Sequence, residues 1–229
     1  MLLRAEGISR DYFRNGRDTN FFTAVKKTDL EIEKGSCTAV SGRSGSGKTT
    51  LINMLSGLLT PTEGRVLFDG EDIYAMSDST RAAFRNRNIG IVPQGQTGLK
   101  SLTVLENILL PAVMYGNEKD KTEKARKLMK QLSIEDLEDV FANELSGGEL
   151  RRMAIIRAMI NSPRMIIADE PTGDLDDIST EAVMKLFDDC IKNGCAVIIV
   201  THEAECLSLL DVPVTTLRVD DGVIKTQSR

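Results

Sequence analysis

The sequence lacks most of what would tie it to a structural metal, a bilayer or a nucleic acid. It holds one histidine, His202, and four cysteines, Cys37, Cys190, Cys195 and Cys206, none spaced as C-x-x-C, so no zinc cage can be assembled. The cysteines are expected to be reduced thiols of a cytosolic protein. No apolar run approaches the roughly 20 residues that span a bilayer; Met165–Ala168 and Ala196–Val200 are far shorter. Arg4 and Glu6 follow Leu2 and Leu3 closely, which leaves no signal-peptide core. Basic residues are in deficit: 29 Lys and Arg against 34 Asp and Glu give a net charge of −5, which disfavours an electrostatic nucleic-acid role. Internal repeats and low-complexity linkers are absent as well.

What remains is a 229-residue chain, 41% apolar and 28% charged, long enough for one large α/β domain with a real core. Strand texture occupies Leu2–Ile8, Phe21–Ile32, Ser36–Val40, Arg65–Phe68 and Ile89–Val92, with turns expected at Asn15-Gly16, Pro61–Gly64 and Asp69-Gly70. Thr49–Leu58 has helical spacing. From about Leu102 to Ile160 the chain reads as helical, in the segments Leu102–Met114, Lys121–Leu132 and Glu149–Ile160. Strands then return at Met165–Ala168 and Ala196–Val200, separated by a helix over Ser179–Lys192, and Asp221-Gly222 marks a late hairpin. Alternating strands and helices predict a mostly parallel sheet with ligands at its carboxyl edge, and the helical block reads as an inserted subdomain.

Four motifs carry chemistry. Gly42-Arg43-Ser44-Gly45-Ser46-Gly47-Lys48-Thr49 fits G-x-x-x-x-G-K-[ST] without a mismatch, between a strand and a helix. Its glycines allow several backbone N–H groups to face one polyphosphate, and the following helix adds its positive end. Lys48 would reach the β- and γ-phosphates, Thr49 would bind Mg²⁺, and Thr50 completes the nucleotide-binding set. Met165–Ala168 ends in Asp169-Glu170. Asp169 would hold Mg²⁺ through its water shell, and Glu170 is placed to polarise the attacking water. His202 follows Ala196–Val200 and would bond a γ-phosphate oxygen or orient the water and Glu170; otherwise it is a packed or surface histidine. Leu145-Ser146-Gly147-Gly148-Glu149 opens a helix. Ser146 and Glu149 there have the spacing of a capping box, whereas the paired glycines suggest a second anion site. Two anion sites in separate subdomains suggest two sides of one nucleotide.

In order and over essentially its whole length, this set resembles the ATP-binding subunit of an ABC transporter. The resemblance adds the Q-loop glutamine Gln94, the D-loop Asp174-Leu175-Asp176 and Tyr12, which matches the aromatic that stacks on adenine; a strand-end tyrosine and a plain loop glutamine are the alternatives. It implies an α/β P-loop NTPase fold of ABC type: a mostly parallel central sheet, an N-terminal antiparallel β portion and an inserted helical subdomain. Residues 1–93 and 162–229 would form the core with its β portion, and about 94–161 the helical signature subdomain, within a single domain, 1–229. It further implies an ATPase whose copies pair head to tail, Ser146 and Gly148 of one meeting the γ-phosphate held by Lys48 of the other, with Gln94 at Mg²⁺ or the water. The partners implied are a second ATP-binding subunit and a separate membrane permease, which would hold the protein on the inner face of the membrane. Two positions depart from the commoner family residues: Glu149 stands where glutamine is usual and Asp174 where asparagine is frequent. Ala168–Gly173 and Leu110–Val113 resemble the lipoprotein-release, macrolide-export and antimicrobial-peptide-resistance group, which also includes an ATPase driving cell-division hydrolases. A regulator of cell-wall hydrolases is therefore an alternative. A soluble ATPase of translation or repair fits less well, since tandem copies and coiled coils are missing.

Overall fold

The computed structural model describes residues 1–13, 21–95, 97–115 and 121–227; the turn expected at Asn15-Gly16 lies outside them. The chain opens with β1 (Leu3–Phe13) and β2 (Phe21–Ile32), an antiparallel pair, then enters β3 (Cys37–Ser41) and α1 (Lys48–Leu55). The helix is shorter than its apolar spacing predicts. The amides of Leu58 and Leu59 both donate to the Asn53 carbonyl at 3.0 Å, and Gly57 turns to φ 75°, which closes it before Leu58. β4 (Glu63–Phe68) and the short β5 (Glu71–Asp72) return to the first pair, giving an antiparallel sheet ordered β2-β1-β4-β5.

A helix not foreseen in the sequence, α2 (Asp78–Asn88), precedes β6 (Ile89–Val92). Ser77 caps it, accepting from the Thr80 amide, and none of its residues is fully buried, so it carries no apolar stripe to betray it. The helical block follows: α3 (Val104–Val113), α4 (Thr122–Gln131) and α5 (Gly147–Met159). β7 (Met165–Asp169), α6 (Asp177–Lys192), β8 (Ala196–Val200), β9 (Val214–Asp220) and β10 (Val223–Gln227) complete the chain. The second sheet is ordered β10-β9-β3-β8-β7-β6; every neighbouring pair is parallel except the β9–β10 hairpin.

β7 and β8 read as unbroken apolar runs because both faces of this sheet are covered. Met165, Ile167, Ala196, Ile198 and Val200 pack with α1 and the antiparallel sheet. Their alternates Ile166, Ala168, Val197 and Ile199 pack with α6 and the helical block. The four thiols are free, and burial pushes Cys37 and Cys195 up to about 12, far from reactive thiolates. Among the described residues no helix is long and apolar enough to cross a membrane.

The strand order decides what meets what. β8 lies between β3 and β7, and β6 flanks β7. The segments leaving the carboxyl ends of β3, β8, β7 and β6 are therefore neighbours: Gly42–Gly47, Thr201-His202, Asp169-Glu170 and Pro93-Gln94.

Candidate functional site

The loop after β3 is held by backbone approaches that leave no room for side chains. A Cβ on Gly42 would lie 2.2 Å from the Val219 carbonyl oxygen, and one on Gly47 2.2 Å from the Ala24 carbonyl oxygen. Gly47 also has φ 110°, in the region L side chains avoid. The β9–β10 turn braces the loop, the Gly222 amide donating to the Ser46 carbonyl at 3.0 Å. Gly47 caps α1 without any side-chain bond, and no acidic residue sits in the first turn. The free N–H groups of that turn make it a site for an anion. Lys48 is buried, its ammonium donating to the carbonyls of Gly42 at 2.8 Å and Arg43 at 2.9 Å, so it lies folded over the cradle. The Ser46 hydroxyl is buried with no protein partner, a polar atom that a phosphate oxygen would satisfy.

Across the sheet edge, the Thr49 hydroxyl donates to Asp169 Oδ2 at 3.3 Å. This pair of oxygens beside Lys48 suits a hard, oxygen-seeking cation such as Mg²⁺. Among the described residues no group of three or more His, Cys, Asp or Glu could hold a metal alone, so phosphate oxygens would have to complete the shell. Burial pushes the Asp169 carboxyl above its ordinary range, with the Thr49 bond and the Lys48 charge opposing the shift. A carboxyl whose folded-state pKa is raised costs stability when ionised, and stability is regained as the pH falls through that raised value. Ligand-free protein is therefore expected to melt at lower temperature than an Asp169→Asn variant at neutral pH, the gap closing as the pH falls into the raised carboxylate range. Thermal melts over that range decide it; a wild type that melts higher at neutral pH would contradict the sign.

Glu170 leaves β7 with φ 52°, a conformation a non-glycine residue adopts only when held. Its amide donates to the Val200 carbonyl at 2.8 Å, which fixes the turn against β8. Its carboxylate stays largely covered and lies 3.6 Å from His202 Nε2, just beyond a hydrogen bond. His202 is exposed, and the Glu203 amide donating to Thr201 Oγ1 at 2.9 Å shapes the turn beneath it.

Gln94 is exposed in the loop after β6. No local pattern marks the residues that tie this loop to the helical block. Buried Arg151 of α5 donates to the Pro93 carbonyl at 3.0 Å, and Arg157 donates to Thr97 Oγ1 at 2.9 Å. In the sequence both look like the charged face of a helix. Tyr12 pairs across β1–β2 with Phe22, their rings stacked at 5.7 Å and 19°, and the Arg10 guanidinium lies 4.9 Å from the Tyr12 ring centre. Phe22 is two residues from Ala24, whose carbonyl abuts Gly47, so the aromatic pair sits about 7 Å along the strand from the phosphate cradle.

Ser146, Gly147 and Gly148 are not part of that cluster. Ser146 caps α5 in a full capping box with Glu149. A Cβ on Gly148 would lie 3.3 Å from the Asp174 carbonyl oxygen and 3.5 Å from Leu175. The turn, Arg152 and the segment Asp174–Asp176 line one open cleft of about 500 Å³. The cap uses Ser146 and Glu149, while the glycines keep the cleft open.

Known proteins resemble this chain along its length. The family model described as ABC transporter matches residues 25–173, more than half the chain. An uncharacterized ABC transporter ATP-binding protein, YknY of Bacillus subtilis (strain 168), is 39% identical over 197 residues, 86% of this chain and 85% of that one. The lipoprotein-releasing system ATP-binding protein LolD of Shewanella sp. (strain MR-4) is 36% identical over 217 residues, 94% and 93% of the two chains. The dimeric post-hydrolysis structure of the ATP-binding cassette MJ0796 bound to ADP and Pi superimposes with a TM-score of 0.88 at 28% identity, covering 98% of each chain.

Proposed function

The chain belongs to the ATP-binding subunits of ABC transporters and is an ATPase, and on that premise we propose that it drives a membrane partner of the lipoprotein-release, macrolide-export or peptide-resistance kind. The carrying observation is the convergence of Lys48, the Thr49–Asp169 oxygen pair, Glu170 and His202 at the carboxyl edge of three adjacent strands. LolD, by its name the ATP-binding protein of a lipoprotein-releasing system, is among the relatives that match nearly the full chain, which favours this branch.

In this reading ATP lays its phosphates in the cradle Gly42–Gly47, against the open first turn of α1. Lys48 exchanges its two carbonyl partners for β- and γ-phosphate oxygens, and Arg43, Ser44, Ser46 and Thr50 complete the wall. Tyr12, braced by Phe22, would meet adenine once the Arg10 guanidinium swings off its ring. Thr49 and Asp169 would hold Mg²⁺, with Gln94 contributing from the neighbouring loop; such an ion would supply positive charge against that developing on the phosphates. Glu170 takes up the proton of a water aligned with the γ-phosphate, and His202, whose Nε2 lies 3.6 Å from that carboxylate, orients the water or bonds a γ-phosphate oxygen from beside it. The signature turn of a second copy supplies Ser146, Gly147 and Gly148 to the far side of the phosphate. The bond from Arg151 to the loop before Gln94 gives the helical block a direct handle on the site.

The test is partner capture. Tagged Glu170→Gln protein, recovered from solubilised membranes in ATP, is expected to bring down a multi-span membrane protein. A four-span partner with a large extracytoplasmic domain supports the release and export branch, and a ten-span partner the peptide-resistance branch. Recovery with ribosomes and no membrane partner overturns the reading.

A further inference from the structure

The hydroxyl proton of Ser146 is already committed. Ser146 Oγ donates to Glu149 Oε2 at 2.7 Å, the Ser146 amide donates to the same oxygen at 2.7 Å, and Oγ accepts from the Glu149 amide at 3.4 Å. These bonds, the hydroxyl's first, hold the Glu149 carboxyl below the usual carboxylate range, so it is an anion at neutral pH. An ionised carboxylate only accepts hydrogen bonds, and a serine hydroxyl has one proton to give. The turn that would receive a second copy's γ-phosphate thus already serves an anion of its own.

Its surroundings add to the effect. The Asp174 carbonyl lies against Gly148, and Asp174 and Asp176 line the same cleft. Asp176 is engaged in capping α6 through the Ser179 amide at 2.7 Å. Arg152, the basic group of this cleft, donates to Ser179 Oγ at 2.9 Å, and its charge also steadies the Glu149 anion. Glu149 and Asp174 therefore flank one turn, Glu149 with its carboxylate and Asp174 with its backbone carbonyl oxygen.

We propose that Glu149 sets the ATP concentration at which two copies close around nucleotide, by holding the Ser146 hydroxyl proton that the facing γ-phosphate requires and by repelling that phosphate. This rests on the shared-site reading above. A glutamine at this position keeps an acceptor for the Ser146 amide, so the cap survives. Its NH₂ group can also donate to Ser146 Oγ, which leaves the hydroxyl proton free for phosphate. Closure makes two such contacts, so a gain of about threefold at each multiplies to about tenfold overall, a modest change for a charge-assisted bond.

The experiment follows dimer formation by sedimentation across an ATP titration in Glu170→Gln protein, with and without Glu149→Gln, and again with Ser146→Ala added to both. Glu149→Gln is expected to lower the ATP midpoint at least threefold with an unchanged melting temperature, and the gain is expected to shrink to under twofold when Ser146→Ala is present. An unchanged midpoint, while the parent still dimerises, overturns the inference and leaves the shared site standing. A gain undiminished by Ser146→Ala overturns the role of the proton. A parent that stays monomeric at every ATP concentration takes down the shared-site reading and this inference with it.

Discussion

Glu170→Gln protein is expected to bind ATP normally, to hydrolyse it about 10²–10⁴ times more slowly, and to accumulate as a nucleotide-bound dimer. The substitution is nearly isosteric. The left-handed backbone at φ 52° and the bond to the Val200 carbonyl remain, so the turn keeps its shape. What is lost is the one carboxylate that can take a proton beside His202; Asp169 is not a substitute, since it is buried and shares the Thr49 hydroxyl. With hydrolysis blocked, the closed pair would reopen only by releasing intact ATP, so it is expected to accumulate. Phosphate release under saturating ATP and sedimentation in millimolar ATP are the measurements. Wild-type turnover would remove Glu170 from the proton step, and a protein monomeric in ATP would remove the second copy from the site.

Gly47→Ala is expected to abolish nucleotide binding and to lower stability by about 2–4 kcal/mol. The added carbon would sit 2.2 Å from the Ala24 carbonyl oxygen, a backbone atom of β2 with no freedom to leave, and φ 110° is closed to alanine. Relief requires moving the start of α1, and with it Lys48 and Thr49. Gly45→Ala is the contrast: at φ 76° it is strained, but nothing lies within 4 Å of the new carbon, so a cost of about 1 kcal/mol and a modest loss of affinity are expected. Equilibrium ATP binding and thermal unfolding of the two variants separate loss of the cradle from general strain. Equal binding by the two would show that contact with Ala24 is not what shapes the loop.

These two glycines also mark where local reading stops. The spacing of Gly42, Gly47 and Lys48 announces a phosphate cradle, yet the atoms that forbid a side chain, in Ala24 and Val219, are distant in sequence. The strands β6 and β8 were legible because short continuous apolar runs between turn residues have few other uses in an α/β chain. The helix α2 was not, because its residues are all partly exposed and only its Ser77 cap and Asp78 hint at a start. The Ser146–Glu149 cap was legible because three residues separate its partners.

By itself the sequence determined the chemistry on hand: a glycine-rich loop with Lys48 and Thr49, a strand ending in Asp169 and Glu170, one histidine and one serine-glycine turn. Each is a local pattern, set by backbone conformation or by alternation over a few residues. Only the tertiary structure decided which of these groups meet. The insertion of β8 between β3 and β7 brings His202 beside Glu170, and Asp169 within 3.3 Å of Thr49. Strand order is settled by burial on both faces of a sheet, a property of the whole core that no short window of sequence contains. The same packing joined Arg151 to Pro93 and Phe22 to Tyr12, and set Asp174 beside the turn that Glu149 caps.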